Sequence, residues 1–159
     1  MSQTSLAAIF HPKTVALIGA TEQPASVGRT VLRNLLDQPF GATIFPVNPN
    51  RNSVLGIRCY PTVTAIGEPV DLAVIVTPAE TVAGVLHECV EAGVDGAIVI
   101  SAGFAELGAE GLEREKKVRK ALASGKLRMI GPNWLGVINP RSGLNATFAQ
   151  ASALHSAVP

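Results

Sequence analysis

Short runs rich in β-branched residues alternate with longer segments of helical period, and this alternation constrains the fold more than any other feature. The sequence predicts strands over residues 14–18, 43–47, 72–76, 97–100 and, more weakly, 128–130. It predicts helices over residues 27–36, 79–92 and 109–124. Because a parallel return between strands needs a crossover long enough for a helix, we expect a Rossmann-like α/β fold, a doubly wound parallel sheet in three α/β/α layers.

The composition supports a sheet that is buried on both faces. Hydrophobic residues make up 47% of the 159 residues and charged residues only 16%, so Val, Ile, Leu and Ala must build the core. This length fits one domain, which we expect over residues 1–148. After Gly131 the periodicity is lost, and residues 149–159 are expected to be a truncated tail or a linker to a missing domain.

Charge and cysteine patterns exclude several classes of function. A net charge of +1, with no basic run and no basic face carrying aromatic residues, predicts no binding of nucleic acid or anionic membranes. The apolar runs are too short to span a bilayer, and no leader pattern is present. Cys59 and Cys89 form no CxxC motif, and no ligand spacing predicts a metal site. We therefore expect a cytoplasmic chain.

In an open parallel sheet, ligands bind beyond the carboxyl ends of the strands, so the loops there are the first place to look for function. The loop from Gly19 to Gly28 follows a strand and opens a helix, so its amides are placed to bind phosphate. Gly19 allows a tight exit from the strand, and Gly28 a close approach of the helix. The spacing is neither GxGxxG, because Thr21 replaces the second glycine, nor that of a P-loop. A purely structural turn is the alternative.

The end of the second predicted strand argues against ordinary NAD binding. A dinucleotide site usually carries an acidic residue there for the ribose hydroxyls, whereas this chain has Asn48. Arg51 follows shortly after and is placed to meet a phosphate on an adenosine ribose, as in coenzyme A (CoA) or NADP. A solvated surface arginine is the alternative.

Two further loops are candidate walls of a ligand site. Thr77 and Pro78 end the third strand, although they also make an ordinary helix start. The segment from Ser101 to Phe104 combines small residues, which admit a ligand chain, with one apolar wall. None of the three histidines has an adjacent carboxylate or serine in a recognisable motif, so we predict no catalytic residue. These histidines are His11, His87 and His155.

An ordered set of motifs closely resembles the N-terminal CoA-binding domain of NDP-forming acyl-CoA synthetases. The motifs run from about His11 to Phe148 and read HPKTVALIGATEQPASVGRTVLRNL, IFPVNPN, DLAVIVTPAE, IVISAGFAE and IGPNWLGVINP. Similar domains occur in the α subunit of succinyl-CoA ligase and in ligase-like bacterial protein acetyltransferases. The resemblance implies that CoA or acyl-CoA is the ligand.

Carried over by position, the resemblance implies contacts of CoA with four loops. The first loop would cradle the phosphates, the second would lie near the adenosine, and the others would border the nucleotide and the pantetheine arm. The implied residues are Gly19, Ala20, Thr21, Ser26, Val27, Gly28, Asn48, Asn50, Arg51, Thr77, Pro78, Ser101, Ala102, Gly103 and Asn133.

The chain departs from the family pattern at two positions. Many relatives have Lys at the end of the PVNP segment, where this chain has Asn50 followed by Arg51. Many also have a small residue or Cys after GPN, where Trp134 is bulky enough to narrow or cover the thiol end of the site. In the family, ATP and ADP act only in other domains, through an ATP-grasp domain and a phosphorylated histidine.

Three functions compete at this stage. The resemblance favours the CoA-binding domain of an NDP-forming acid:CoA ligase, whose partners would be downstream ligase-like and ATP-grasp domains. The second is an acyl-CoA-sensing regulatory domain beside an acetyltransferase domain. The third is an NAD(H)-binding sensor, which Asn48 disfavours. The sequence leaves the acyl substrate and the oligomeric state open.

Overall fold

The predicted strands form one five-stranded sheet in the computed structural model, which describes residues 6–37 and 40–149. In chain order the elements are α1 (Leu6–Phe10), β1 (Thr14–Ile18), α2 (Val27–Asp37), β2 (Thr43–Val47), β3 (Ser53–Val54), β4 (Ile57–Arg58), β5 (Leu72–Ile75), α3 (Ala79–Glu91), β6 (Gly96–Val99), α4 (Ala109–Leu122), β7 (Arg128–Ile130), β8 (Gly136–Asn139) and β9 (Leu144–Thr147). Short 3-10 helices lie at Thr64–Ile66 and Ala105–Leu107.

The sheet has the strand order β2-β1-β5-β6-β7, and all of its pairs are parallel. The three predicted helices correspond to α2, α3 and α4, and the ends of predicted and observed elements differ by no more than two residues. The Rossmann-like, doubly wound fold is therefore confirmed. No helix within the described part of the chain combines the length and the apolar character needed to cross a bilayer.

Each face of the sheet is buried by a different layer, because successive side chains of a strand point to opposite faces. Val15 and Leu17 of β1 pack into a cluster with apolar residues of α1 and α2. Ala16 and Ile18 pack into a second cluster with α3 and α4. Residues of β1, β5 and β6 alternate between the two clusters. This confirms the three layers and the sheet buried on both faces that the composition predicts.

The segment after Gly131 does contain a regular element, which the sequence did not predict. Strands β8 and β9 pair as an antiparallel hairpin whose apolar side chains join those of α2 in one core cluster. Every residue of β9 is buried, including Asn145 and Thr147, and the Thr147 hydroxyl donates to Asn145 Oδ1 at 2.8 Å. The alternation of apolar and polar residues in β9 covers only four positions, and β8 places Val137 next to Ile138, so the sequence signal for a hairpin is weak.

Two smaller expectations need correction. The prediction of α4 rests in part on the apolar residues Leu112 and Val118, of which Leu112 is exposed and Val118 is buried. Val27 at the start of α2 is also exposed, so the buried stripe of α2 begins at Val31. Residues 150–159 lie outside the described residues. The predicted tail and the predicted lack of a catalytic role for His155 therefore remain predictions.

Candidate functional site

The loops that follow the sheet strands meet at one edge of the sheet, because parallel strands end on the same side. Strands β2 and β5 lie on opposite sides of β1, so the order of the strands reverses between β1 and β5. In open α/β sheets the crevice at such a reversal is the usual ligand site. The loops after β1, β5, β6 and β7 are therefore the structural candidates.

The first of these loops depends on two glycines. Gly19 has a φ of +99°, and a Cβ atom there would lie 2.8 Å from Cγ2 of Val76. A Cβ atom on Gly28 would lie 2.2 Å from the carbonyl oxygen of Gly19, a distance that real Cβ atoms essentially never show. The start of α2 thus packs directly against the exit of β1. This confirms the close approach that the sequence predicts for Gly28.

The hydroxyl groups of this loop bond to the loop itself. Ser26 caps α2, because its Oγ accepts a hydrogen bond from the Arg29 amide at 3.2 Å. The same hydroxyl donates to the carbonyl oxygen of Gln23 at 2.7 Å. Oγ1 of Thr21 accepts from the Gln23 amide at 3.2 Å. Ser26 and Thr21 therefore hold the loop in shape around the first turn of α2.

The loop is also tied to the small hairpin β3–β4. The Leu55 amide donates to Oε1 of Glu22 at 2.6 Å, and Arg29 donates to the carbonyl oxygen of Glu22 at 2.9 Å. Glu22 thus connects the first loop, α2 and the hairpin. Sequence reasoning assigned no role to Glu22, because the contact joins segments that are 33 residues apart.

Asn48 connects the loops after β1 and β2. Its Nδ2 donates to the carbonyl oxygen of Ala20 at 2.9 Å, and its Oδ1 accepts from the Asn50 amide at 2.9 Å. Both polar atoms of the side chain are therefore bonded within the protein. Asn50 and Arg51 lie exposed beside it, on the β2 side of the edge.

On the other side of the edge, a chain of hydrogen bonds joins three loops. The Ser101 hydroxyl after β6 donates to the carbonyl oxygen of Thr77 after β5 at 2.6 Å. The Asn133 amide after β7 donates to the carbonyl oxygen of Ser101 at 2.9 Å. Thr81 in the first turn of α3 donates to Oγ1 of Thr77 at 2.8 Å. These bonds fix the relative positions of the three loops.

A cavity of about 660 Å³ opens between these loops and the start of α2. This volume lies within the usual range for small-molecule sites. No charged residue lines it. The lining residues are Val27, Val76, Thr77, Pro78, Ala79, Ile100, Ser101, Ala102, Asn133, Trp134, Leu135 and Phe148.

The cavity brings together some of the predicted site residues and not others. Six of them line it, namely Val27, Thr77, Pro78, Ser101, Ala102 and Asn133. The others lie outside its lining, namely Gly19, Ala20, Thr21, Ser26, Gly28, Asn48, Asn50, Arg51 and Gly103. Trp134, singled out from the sequence, lines it as well, whereas Leu135 and Phe148 were missed because their positions depend on the β8–β9 hairpin.

The charged side chains of Glu106 and Arg114 form hydrogen bonds with the backbone of the loop after β6. The Gly103 amide donates to Oε1 of Glu106 at 2.5 Å, which lowers the pKa of the Glu106 carboxyl group below its usual value. Arg114 donates to the carbonyl oxygen of Gly103 at 2.8 Å. The predicted wall residue Phe104 is only 1% exposed and belongs to the core, so its expected role as a wall of the site was wrong.

Comparison with known proteins relates this chain to a CoA-binding domain family and to CoA ligases. The family described as "CoA binding domain" matches residues 13–140. The ADP-forming acetate–CoA ligase I of Archaeoglobus fulgidus is 44% identical over 144 residues, which are 91% of this chain and 21% of that protein. The ADP-forming acetate–CoA ligase of Methanocaldococcus jannaschii is 44% identical over 142 residues, 89% of this chain and 20% of that protein.

A solved structure has the same fold as this chain. The dinucleotide-forming acetyl-coenzyme A synthetase 1 of Ca. Korarchaeum cryptofilum, in complex with phosphate and ADP, superimposes with a TM-score of 0.85 at 38% identity. The match covers 90% of this chain and 30% of that one. The chain thus spans about a fifth of the two curated relatives and under a third of the solved structure.

Proposed function

The chain belongs to the CoA binding domain family, and we propose that its strand-end edge binds CoA or acyl-CoA within an ADP-forming acid:CoA ligase. The observation that carries this proposal is the uncharged cavity beside the start of α2. An uncharged cavity suits the pantetheine arm, whereas the amides at a helix N-terminus suit a phosphate group.

The strand order supports one direction for the bound ligand along the edge. The adenosine end would lie beside β2, near Asn50 and Arg51. The diphosphate would lie at the loop from Gly19 to Gly28, where Gly28 keeps α2 close to β1. The pantetheine arm would then cross Thr77 and Ser101 towards the loop after β7. The site residues inferred from the sequence thus divide between the two ends of one ligand.

Neither alternative function gains support. The compared proteins described above are two acetate–CoA ligases and an acetyl-coenzyme A synthetase by name, and none is named an acetyltransferase. For NAD(H), the position of the usual ribose-binding acid is occupied by Asn48, whose side chain is bonded to Ala20 and Asn50. We therefore retain the ligase proposal alone.

The whole reaction needs more than this domain supplies. We propose that ligase-like and ATP-grasp domains act together with this chain and that ATP and ADP bind there. We also propose a cytoplasmic location. Cys59 and Cys89 are free and buried, which is common among proteins of reducing compartments, and burial raises the pKa of the Cys89 thiol to about 12.

Calorimetric titration of the chain with CoA, acetyl-CoA, NADH and ATP at one moderate salt concentration tests the proposal. We expect heat of binding from CoA or acetyl-CoA and none from NADH or ATP. Binding of NADH alone would contradict the proposal, because it would assign the edge of the sheet to a dinucleotide. Binding of ATP alone would contradict it in the same way.

Replacing Arg51 by alanine is expected to weaken the binding of CoA more than that of dephospho-CoA. Arg51 is exposed at the β2 end, where it would form a charge-assisted hydrogen bond with the 3′-phosphate. We expect CoA to lose about tenfold in affinity at low salt and less at high salt. Dephospho-CoA, which lacks this phosphate, should bind the variant and the unchanged chain alike.

Arg33→Ala is the matched control, because Arg33 is an exposed residue of α2 and its removal changes the net charge equally. The control should leave the ratio of the two affinities unchanged. Equal losses for CoA and dephospho-CoA in Arg51→Ala would rule out a contact between Arg51 and the 3′-phosphate.

A further inference from the structure

Four large, exposed apolar side chains line the cavity, and we call them the apolar wall. They are Val27, Trp134, Leu135 and Phe148, with exposed fractions of 41%, 52%, 56% and 37%. Among the described residues, they are four of the nine large hydrophobic side chains that remain exposed. Exposed apolar side chains that line one cavity together are typical of a site that binds an apolar group.

The apolar wall is held in place by the fold. The Phe148 amide donates to the carbonyl oxygen of Leu135 at 3.4 Å, which links the two ends of the β8–β9 hairpin. Asn34 of α2 donates to the carbonyl oxygen of Thr147 at 2.7 Å. The Asn133 amide is bonded to Ser101 after β6. These bonds fix the backbone around the apolar wall. Binding of a ligand there therefore costs little conformational entropy of the backbone.

The position of the apolar wall along the sheet edge determines which part of a bound CoA thioester would contact it. The apolar wall lies between the loop after β7, which carries Trp134, and the start of α2, which carries Val27. If the adenosine lies beside β2 and the diphosphate at the start of α2, the arm extends towards β7 and its sulfur approaches Trp134. The cavity there has no charged lining residue, so it suits an uncharged group attached to that sulfur.

We propose that Trp134, together with Leu135 and Phe148, contacts the acyl group of a bound thioester and makes this chain favour branched and aromatic acyl-CoA over acetyl-CoA. This inference rests on the proposed function, since it assumes the direction of CoA along the edge. Each additional buried methylene group strengthens binding about fourfold, and an aromatic group gains further from stacking on an indole ring.

The test compares three thioesters on the full 159-residue chain. Calorimetry gives the dissociation constants of acetyl-CoA, isobutyryl-CoA and phenylacetyl-CoA, with CoA as the reference. We expect affinity to rise in that order, by about tenfold or more from acetyl to phenylacetyl. In Trp134→Ala the ratio between phenylacetyl-CoA and acetyl-CoA should fall to about one third of its value or less, since most of the aromatic contact is lost.

Two further variants separate contact with the acyl group from a general effect on folding. Trp134→Phe keeps an aromatic ring and should keep most of the preference. Leu112→Ala removes a similarly exposed side chain from α4, outside this cavity, and should leave the ratio unchanged. Trp134 is the only tryptophan of the chain, so its emission should shift to shorter wavelength with phenylacetyl-CoA and less with CoA.

Equal affinity for the three thioesters, or a preference that survives in Trp134→Ala, would overturn the acyl assignment. CoA would still bind in both cases, so the proposed function would stand. Failure of CoA and all three thioesters to bind would instead contradict the proposed function itself.

Discussion

Gly28→Ala is expected to destabilise the chain and to weaken CoA binding together. Its added Cβ atom would stand 2.2 Å from the Gly19 carbonyl oxygen, so α2 must move away from the exit of β1. Overpacking of this kind costs about 1–3 kcal/mol. In a domain of this size we expect Tm to fall by about 2–4 °C for each kcal/mol. The displaced helix start should also lower the affinity for CoA by about tenfold or more, because the phosphate-binding amides move with it.

Gly84→Ala provides the matched control. Gly84 also lies in a helix, α3, but its added Cβ atom would meet nothing within 4 Å. Alanine has the higher helix propensity, so this variant should be unchanged or more stable by up to about 1 kcal/mol. Thermal unfolding and calorimetric titration of both variants measure the difference. If both variants retain stability and affinity, the close approach at Gly28 has no part in the site.

Ala102→Trp should abolish CoA binding while leaving the fold intact. Ala102 lines the cavity and is exposed, so a larger side chain can enter the cavity without displacing the core. An indole ring there would occupy the volume that the proposal gives to the pantetheine arm. We expect a loss of about hundredfold in CoA affinity, which corresponds to about 2.7 kcal/mol. The unfolding temperature should stay within about 2 °C of the unchanged chain, as is usual for exposed positions.

Ala123→Trp is the control for the added bulk. Ala123 is an exposed residue at the end of α4 and does not line the cavity. It should bind CoA as the unchanged chain does. CoA binding by Ala102→Trp at full affinity would mean that the ligand uses a different surface.

The sheet and its main helices could be predicted from the sequence because their signals are local. Each strand is a short apolar run, and the helices α2, α3 and α4 have their own periodicity and end signals. The role of Gly28 was recognised for the same reason, since it lies at the start of a helix that follows the first strand. Burial on both faces followed from the scarcity of charge.

The rest of the site could not be predicted, because it depends on contacts between distant segments. Phe148 reaches the cavity only because the β8–β9 hairpin packs on α2, and the strands of that hairpin are only four residues long, which makes their sequence signal weak. The ligand contact of Asn48 remains a prediction, and a sequence does not reveal that its side chain bonds to Ala20, 28 residues earlier. Phe104 was expected at the cavity and is instead core, because burial follows from tertiary packing.

Amide hydrogen exchange of the chain with and without CoA tests the central claim most directly. The strand-end edge is the proposed ligand site, so CoA should slow exchange at residues 19–28, 77–79, 101–103 and 133–135. Exchange at the opposite ends of the strands should stay unchanged. Slowed exchange confined to other surfaces, such as the exposed face of α4, would contradict the placement of CoA at this edge.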